Sequence, residues 1–443
     1  MKVLVLGNDG RAHALVWKLF NSSLASELVC APGNGGTGLL APTADLDVAN
    51  VAAVAHWAFD EGVDVIVPAD SRLLQAGLVD EVVSFQIGVC GPPQRSSALF
   101  GSRCRTKEFL LRHGLPTAPG RAFDNLHTAE KYLATQPLPL IIKADHPSAG
   151  EAVFQERYAA LQGLHDLFTA RPLEGPNDGV VIESFVPGAR VVLSAFADGQ
   201  TAVPLLPTRL YDRVEEGDAG PLARGLGAHT GASEFARRLG EYLHEKLIAP
   251  CVAALARDDL PYWGLLGVDC VISPNGPRLT ALRSSMQEGE AQVVLPRLED
   301  DLMPWVQAMI ARRLHELPPP RWLPTPTVGI GLIARGYPHH FAVGGTIEGV
   351  EQLDEGVLVF HSATENASGL RYIPRGGGRA TSAALPLYAA STTLAHTTGG
   401  HVLTLVASGA TLAGARARAL VNAERIAFDG RTFRGDIGAK EFG

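Results

Sequence analysis

The chain has 443 residues, of which 46% are hydrophobic and 19% are charged, a composition typical of a soluble globular protein with more than one compact core. Its net charge of −8 comes without any long run of Lys or Arg, so we expect no nucleic-acid partner. The sequence begins directly in a strand-like apolar run, with no cleavage site and no stretch of about 18 apolar residues. These features predict a cytoplasmic protein without a membrane segment.

The cysteines are scattered and lack the spacing of a metal site. We expect them to be reduced and mostly buried: Cys30, Cys90, Cys104, Cys251 and Cys270.

Residues 1 to about 100 alternate short apolar segments with helical patterns. Strands are predicted at 3–6, 28–30, 63–67 and 87–90, with a helix at 12–20. This alternation favours a parallel sheet with crossover helices. The first turn after a strand holds Gly7, Gly10 and Arg11, where a helix N-terminus could receive an anion, although an ordinary tight turn explains the glycines equally well.

A second unit begins at about residue 102. Helices are predicted at 106–113 and 234–256, and strands at 139–143, 179–185, 191–197, 202–206, 265–272 and 278–282. Residues 212–231 are rich in glycine and charge and are predicted to form a functional loop. The segment 324–326 indicates a linker, and the low-complexity stretch 376–400 is predicted to be a partly mobile insertion.

Eight short motifs, taken together and in this order, resemble the glycinamide ribonucleotide synthetase (phosphoribosylamine-glycine ligase) family of the ATP-grasp superfamily. They are GNDGRAHAL at 7–15, APGNGGT at 31–37, RHGLPTA at 112–118, IKAD at 142–145, VIE at 181–183, DAGP at 218–221, VFH at 359–361 and DIG at 436–438.

The resemblance implies an α/β protein with an ATP-grasp fold. It implies an N-terminal Rossmann-like (pre-ATP-grasp) domain at 1–101, an ATP-grasp domain at 102–322 and a small C-terminal α/β domain at 323–443. A mobile lid subdomain is expected at about 119–190. The resemblance also implies that ATP phosphorylates the carboxylate of glycine and that the amine of phosphoribosylamine displaces the phosphate. Small-molecule amine and carboxylic acid substrates are therefore expected, in a monomer or homodimer.

For the nucleotide, the resemblance implies that Lys143 reaches the phosphates, that Glu183 lies at the adenine and ribose, and that Arg103 belongs to the same site. A surface lysine is the alternative for Lys143. The lid turn departs from the family, because Glu151 would repel a triphosphate and Ala152 restricts a turn that is a glycine in relatives.

The metal strand also departs from the family. Where the resemblance implies an acid and an amide for magnesium, this chain has Ala281 and Arg283, so Mg²⁺ is left open. Asp269 could hold a metal weakly or form a salt bridge with Arg283, and we favour the salt bridge. Glu288 is a candidate weak metal ligand, with a solvated loop acid as the alternative.

The substrate loop departs from the family as well: where the resemblance implies Asn, Thr and Gly, residues 222–224 are Leu, Ala and Arg. Arg213, Arg224, Asp269 and Arg283 are the candidate catalytic residues, since the arginines can bind a carboxylate or phosphate. The candidate substrate-binding residues are Gly10, Arg11, His13, Asn34, Gly225 and Gly227.

Two main hypotheses remain open, beside a third in which the chain keeps catalysis but uses its acid-rich and arginine-rich cleft for a reaction without ATP. The first is a divergent ATP-grasp ligase that forms an amide through an acyl phosphate, on non-standard substrates of a purine-like or specialised pathway. The second is a catalytically degenerate pseudoenzyme that keeps the fold as a ligand- or partner-binding module. The retained Lys143 and Glu183 support the first, and Ala281, Arg283 and Glu151 support the second.

Overall fold

The computed structural model describes residues 1–147, 150–169, 179–366 and 395–441. Most of the predicted insertion at 376–400 lies outside these residues. Across the described ranges, none of the helices combines the length and apolar character needed to cross a membrane. All five cysteines are free and buried, as predicted.

The N-terminal part is a four-stranded parallel sheet in the order β2-β1-β3-β4. Its strands are β1 (Lys2–Gly7), β2 (Glu27–Pro32), β3 (Val65–Pro68) and β4 (Gly88–Val89). The helices around it are α1 (Gly10–Phe20), α2 (Thr37–Leu40), α3 (Val51–Asp60), α4 (Arg72–Gln75), α5 (Leu78–Val82), α6 (Gln94–Gly101) and α7 (Arg103–Arg112). The predicted parallel sheet is confirmed, and its central strands are continuous apolar runs because both faces are covered.

The second sheet is antiparallel, in the order β5-β8-β6-β7. It consists of β5 (Gly120–Phe123), β6 (Leu140–Ala144), β7 (Glu151–Phe154) and β8 (Val180–Ser184), with α8 (Leu126–Thr135) and α9 (Arg157–Thr169). Leu133 of α8 and Leu164 of α9 pack with Ile142 and Ile182 in one apolar core. This unit occupies the segment predicted as the lid.

The largest sheet has ten strands, eight of them in the path β14-β13-β9-β11-β12-β15-β20-β17. Its members are β9 (Ala189–Ala197), β10 (Ala202–Pro204), β11 (Thr208–Glu215), β12 (Ala219–Thr230), β13 (Gly264–Ser273), β14 (Gly276–Arg283), β15 (Thr327–Ala334), β17 (Leu358–His361), β20 (His401–Ser408) and β21 (Arg431–Thr432). Because β12 pairs with β15, backbone pairing runs across the predicted domain boundary at residue 322.

The remaining helices pack around these sheets. They are α10 (Glu234–Leu243), α11 (Ala249–Arg257), α12 (Glu290–Val294), α13 (Leu302–Ala311) and α14 (Leu412–Arg425). A π-helical turn, His244–Ile248, joins α10 to α11, so the predicted helix at 234–256 is one helical run. A small sheet contains β16 (Thr346–Ile347), β18 (Thr364–Asn366) and β19 (Ala395–Thr397).

The prediction of a loop at 212–231 is wrong. This segment contains the end of β11 and all of β12, which form an antiparallel hairpin whose pairing shifts register at Arg213. Two of the glycines in β12 lie against side chains packed on the sheet: a Cβ on Gly225 would lie 2.4 Å from the ring of His401, and one on Gly227 would lie 2.7 Å from Ile437. Glycine that allows tight strand packing resembles loop glycine in sequence, which explains the error.

Candidate active site

Two lysines and one glutamate form a buried charged group between α7, β6 and β8. Nζ of Lys107 lies 2.9 Å from Oε2 of Glu183, and Nζ of Lys143 contacts Oε1 of the same carboxylate. Each of the three side chains is at most 5% exposed. Lys107 also donates hydrogen bonds to the Thr117 hydroxyl and the Ala118 carbonyl. With two cations and one anion, the group has a net positive charge that favours an anion beside it.

Opposing effects act on the pKa of Glu183. Burial alone would raise it, but the positive charges of Lys143 and Lys107 and their hydrogen bonds outweigh burial, and the pKa lies below its usual range. Burial lowers the pKa of Lys107, and the charge of Glu183 only partly offsets this. The carboxylate therefore stays ionised and holds both ammonium groups in place.

Lys107 was missed in the sequence analysis. It lies on the buried side of α7 with Cys104 three residues before it and Leu110 three residues after it. Residues three apart share a helix face, so a lysine at this spacing among apolar residues indicates a buried cation. That pattern was the available signal.

Arg103, at the start of α7, uses its guanidinium for contacts within the protein. Its guanidinium donates to the carbonyls of Ala144, Pro147 and Gly150 and lies 3.3 Å from the carboxylate of Glu151. The charge of Glu151 is thus offset by Arg103, which weakens the expectation that Glu151 repels a triphosphate. A nucleotide contact by Arg103 stays a prediction.

Asp269 and Arg283 form the salt bridge that we favoured. Nε of Arg283 lies 2.6 Å from Oδ1 of Asp269, which is 1% exposed. Oδ2 of Asp269 accepts from Arg190 at 3.1 Å and from the side chain of Gln287 at 3.1 Å. Burial alone would raise the pKa of Asp269, but the two guanidinium groups outweigh burial and keep that pKa below its usual range.

The resemblance implies a magnesium ion at this place, and the residues do not fit one. Mg²⁺ requires a nearly octahedral set of oxygen ligands. Ala281, which pairs with Asp269 in the β13–β14 ladder, has no ligand atom, and both oxygens of Asp269 already accept hydrogen bonds. In the part of the chain that the structure describes, no three His, Cys, Asp or Glu side chains form a group that could hold a metal. The weak metal-ligand roles predicted for Asp269 and Glu288 gain no support.

Four arginines from separate segments lie close enough to affect one another electrostatically: Arg11, Arg103, Arg190 and Arg224. We refer to them as the arginine cluster. Desolvation, followed by the positive charges of Arg11 and Arg190, lowers the pKa of Arg224. A bound anion would relieve this repulsion, and guanidinium groups bind carboxylate or phosphate in bidentate fashion. Arg11, Arg103 and Arg190 already form ion pairs with carboxylates of the protein. The case for an anionic ligand at the cluster therefore rests mainly on Arg224.

Arg213 has a different environment from Arg224. Its Nη1 donates to the carbonyl of Gly220 at 2.7 Å, within the β11–β12 hairpin, and its own carbonyl accepts from Arg434 at 2.7 Å. These contacts stabilise the hairpin. A catalytic role for Arg213 stays a prediction.

The turn between β1 and α1 is rich in ion pairs. Asp9 caps α1 by accepting from the backbone N–H groups of Arg11 and Ala12. The Arg11 guanidinium lies 2.5 Å from Asp9, 3.1 Å from Asp70 and 3.8 Å from Glu288. Arg11 is therefore held by three carboxylates, and an anionic ligand would have to share it with them.

His13 and Asn34 join the N-terminal turn to the C-terminal part of the chain. Nδ1 of His13 accepts from the backbone N–H of His361 at 2.8 Å, and the Asn34 amide donates to the carbonyl of His361 at 2.8 Å and to that of Asn8 at 3.1 Å. Burial lowers the pKa of His13, so the ring is neutral and able to accept. These contacts position the turn, and substrate binding by both residues stays a prediction.

Glu288 lies where three segments of the chain meet. Its carboxylate is 8% exposed and lies 3.2 Å from the hydroxyl of Ser362, 3.7 Å from Nδ1 of His401 and 3.8 Å from Arg11. Burial, together with the negative charge of Asp9, raises the pKa of Glu288 to about 7. Glu288 is thus a buried junction residue rather than a solvated loop acid.

The candidate substrate-binding glycines, Gly10, Gly225 and Gly227, lie where a larger side chain would collide with its neighbours. A Cβ on Gly10 would lie 2.4 Å from Oε1 of Glu288, and one on Gly225, which has φ +75°, would lie 2.4 Å from the ring of His401. A Cβ on Gly227 would lie 2.7 Å from Ile437. Close packing explains all three glycines, and contact with a substrate stays a prediction.

Family profiles match nearly the whole chain. The N domain of phosphoribosylglycinamide synthetase matches residues 1–99, its ATP-grasp (A) domain matches 101–289, and its C domain matches 327–440. The chain belongs to the phosphoribosylglycinamide synthetase family. The predicted family, the α/β ATP-grasp fold and the predicted enzyme class, an ATP-grasp amide-forming ligase, are confirmed.

Full-length relatives carry the same assignment. The chain is 34% identical to a phosphoribosylamine–glycine ligase of Phenylobacterium zucineum, with 100% of both chains covered. It is 32% identical to the corresponding ligase of Caulobacter vibrioides, over 99% of this chain and 98% of that one.

Solved structures agree on the fold. The crystal structure of the phosphoribosylamine–glycine ligase of Thermotoga maritima has a TM-score of 0.80 at 23% identity and covers 98% of this chain and 100% of that one. A biotin carboxylase domain of Hydrogenobacter thermophilus 2-oxoglutarate carboxylase, in complex with MgADP, ADP and bicarbonate, has a TM-score of 0.67 at 15% identity. It covers 97% of this chain and 91% of that one.

Proposed function

We propose that this member of the phosphoribosylglycinamide synthetase family uses ATP to join a carboxylic acid to an amine, and that its substrates differ from glycine and phosphoribosylamine. The γ-phosphoryl group would pass to a carboxylate oxygen, giving an acyl phosphate and ADP. The amine nitrogen would then attack the acyl carbon, phosphate would leave, and the amine proton would be lost to solvent. The relatives, named as phosphoribosylamine–glycine ligases, support this class of reaction.

The buried group of Lys107, Lys143 and Glu183 carries the nucleotide part of the proposal. Two ammonium groups fixed by one carboxylate present a net positive charge from the second sheet and α7. Buried lysines are costly unless an anion compensates them, and Glu183 compensates only one. A nucleotide phosphate would neutralise the other.

The altered substrates are supported by the hairpin and the arginine cluster. Residues 222–224 are Leu, Ala and Arg, where the resemblance implies Asn, Thr and Gly. The change removes polar groups and adds the cation of Arg224 close to Arg11 and Arg190. An acid or amine with additional negative charge would fit this cluster better than glycine.

A pseudoenzyme is the second candidate, and the Asp269–Arg283 salt bridge favours it. Both oxygens of Asp269 are used within the protein, so the metal implied by the family has no open position there. In this case the fold would serve to bind a ligand or partner without turnover.

One assay separates these candidates. Purified protein would be incubated with ATP and either glycine plus phosphoribosylamine or a panel of acids and amines, and ADP formation would be followed by a coupled assay. We expect ADP only with a pair other than glycine and phosphoribosylamine. Turnover of that standard pair would refute the altered substrates. Absence of ADP with every pair, despite nucleotide binding by calorimetry, would favour the pseudoenzyme.

Several predictions about organisation belong to the same proposal. We propose three domains at 1–101, 102–322 and 323–443, with the lid at about 119–190, in a cytoplasmic monomer or homodimer. Light scattering after size exclusion would distinguish the two oligomeric states.

A further inference from the structure

Two buried carboxylates, those of Asp269 and Glu290, lie near the end of β14, and both accept hydrogen bonds from donors of the protein. Asp269 accepts from Arg283, Arg190 and Gln287, as described above. Glu290, which is fully buried, accepts from the hydroxyl of Ser194 at 2.7 Å and from the backbone N–H of Gln287 at 2.8 Å. The carboxylate oxygens therefore have their hydrogen bonds without a metal ion.

Arg283 lies between these two carboxylates. Besides its contact with Asp269, its Nη1 lies 3.5 Å from Oε2 of Glu290 and donates to the carbonyl of Ser285 at 2.6 Å. Arg190 contacts Asp269 and also forms an ion pair with Asp212, so both guanidinium groups are surrounded by carboxylates. A divalent cation at Asp269 would have to displace a guanidinium from a carboxylate whose two oxygens already accept hydrogen bonds, which is unfavourable in a buried site.

The backbone of β13 leaves space for this guanidinium. Gly267 pairs with Arg283 in the β13–β14 ladder, and a Cβ at position 267 would lie 2.7 Å from Nη1 and 2.9 Å from Cζ of Arg283. Any other residue at 267 would push the guanidinium out of this position. The neighbouring backbone thus leaves room for the guanidinium of Arg283. The change at position 283 therefore involves more than the removal of one metal ligand.

Some donors in this centre are still available. Nη2 of Arg283 and Nε of Arg190 are buried and have no hydrogen-bond partner among the described residues. Buried guanidinium N–H groups that lack an acceptor are costly, and an anionic oxygen would satisfy them.

We propose that Arg283 takes the place of the divalent cation in this chain, so that ligand phosphates are bound here by guanidinium groups and without Mg²⁺ or Mn²⁺ at Asp269. The inference rests on the proposed nucleotide-binding function. Arg283 supplies a permanent positive charge at the end of β14, and Arg190 adds a second one from β9. Arg224 of the arginine cluster lies close enough to Arg190 to add a further positive charge for a polyphosphate.

The first test uses the wild-type protein and measures binding rather than turnover. ADP would be titrated by calorimetry in EDTA and in millimolar Mg²⁺, and Mn²⁺ alone would be titrated with electron paramagnetic resonance as the readout. We expect the ADP affinity to differ by less than about threefold between the two conditions. We expect no stoichiometric binding of Mn²⁺.

The second test restores the acid and amide of the family in the variant Ala281→Glu/Arg283→Asn. The matched control is Ala281→Gln/Arg283→Asn, which has nearly the same size but carries a neutral amide in place of the carboxylate. The restored variant should bind Mn²⁺ and should bind ADP at least about tenfold more tightly with Mg²⁺ than in EDTA. The control variant should do neither.

The results that would overturn this inference differ from those that would overturn the proposed function. ADP binding that requires Mg²⁺, or one Mn²⁺ per wild-type chain that Asp269→Asn abolishes, would overturn the inference and leave the proposed function standing. Absence of ADP binding both in EDTA and with Mg²⁺ would overturn the proposed function, and with it the binding of phosphates by Arg283.

Discussion

Nζ of Lys107 lies 2.9 Å from Oε2 of Glu183, although the two residues are 76 positions apart in the chain. Both side chains are almost completely buried, and the same carboxylate also contacts Lys143. One anion thus holds two cations from α7 and β6 at the proposed nucleotide site. Two of the predictions below follow from this arrangement.

Glu183→Gln should lower the free energy of unfolding by about 3 kcal/mol, because it leaves two buried ammonium groups without their counter-charge. The pKa of Glu183 is depressed in the folded state, so its contribution is present above the usual Glu pKa and is lost as pH falls through the folded pKa. Urea unfolding at neutral and acidic pH measures both effects. Glu245→Gln, which breaks an exposed ion pair with Lys246, is the control. Equal stability of Glu183→Gln and wild type would contradict the prediction.

Lys107→Met should weaken ADP binding by at least about tenfold, because it removes one of the two cations and changes the group from net positive to neutral beside the phosphates. Lys143→Met should have a similar effect for the same reason. Calorimetric titration of ADP is the measurement, and Lys131→Met, at an exposed position on α8, is the matched control. Unchanged affinity in both variants would remove this group from the nucleotide site.

Glu288→Gln should flatten the dependence of stability on pH. The folded-state pKa of Glu288 is raised to about 7, so the folded protein holds more protons than the unfolded chain and its stability falls as pH rises from about 5 to about 7. The charged and titratable groups near it include Arg11, Asp9, His401 and Tyr337. Urea unfolding across this range gives the slope. Glu288→Asp keeps a titrating carboxyl and should retain it, whereas an unchanged slope in Glu288→Gln would contradict the assignment.

Gly225→Ala should be more destabilising than Gly114→Ala. Both glycines have positive φ, +75° and +63°, so both substitutions cost about 1 kcal/mol in backbone strain. Only the new Cβ at 225 meets another group, the ring of His401, which should add about 1 to 3 kcal/mol. Thermal unfolding of both variants gives the comparison. Adding His401→Ala should recover part of the loss in Gly225→Ala, and equal costs at the two positions would refute the steric explanation.

Much of the local structure was predictable because it depends on short-range effects. The continuous apolar run of β1 and the alternation around it indicate a covered parallel strand. The pair Asp269 and Arg283 was also accessible, since a predicted hairpin brings residues of its two strands together. The strand hairpin within 212–231 was not predictable in this way, because whether a glycine-rich segment forms a strand depends on neighbours such as β15.

The sequence by itself determined the family, the order of the elements and the presence of Ala281 and Arg283 where the resemblance implies metal ligands, because motifs, periodicity and side-chain type are local properties. Only the tertiary structure decided that Lys107 shares a carboxylate with Lys143 and that Glu288 is buried beside Ser362. Those contacts join residues far apart in the chain, and they follow from how sheets and helices exclude water and pack together, which no local pattern records.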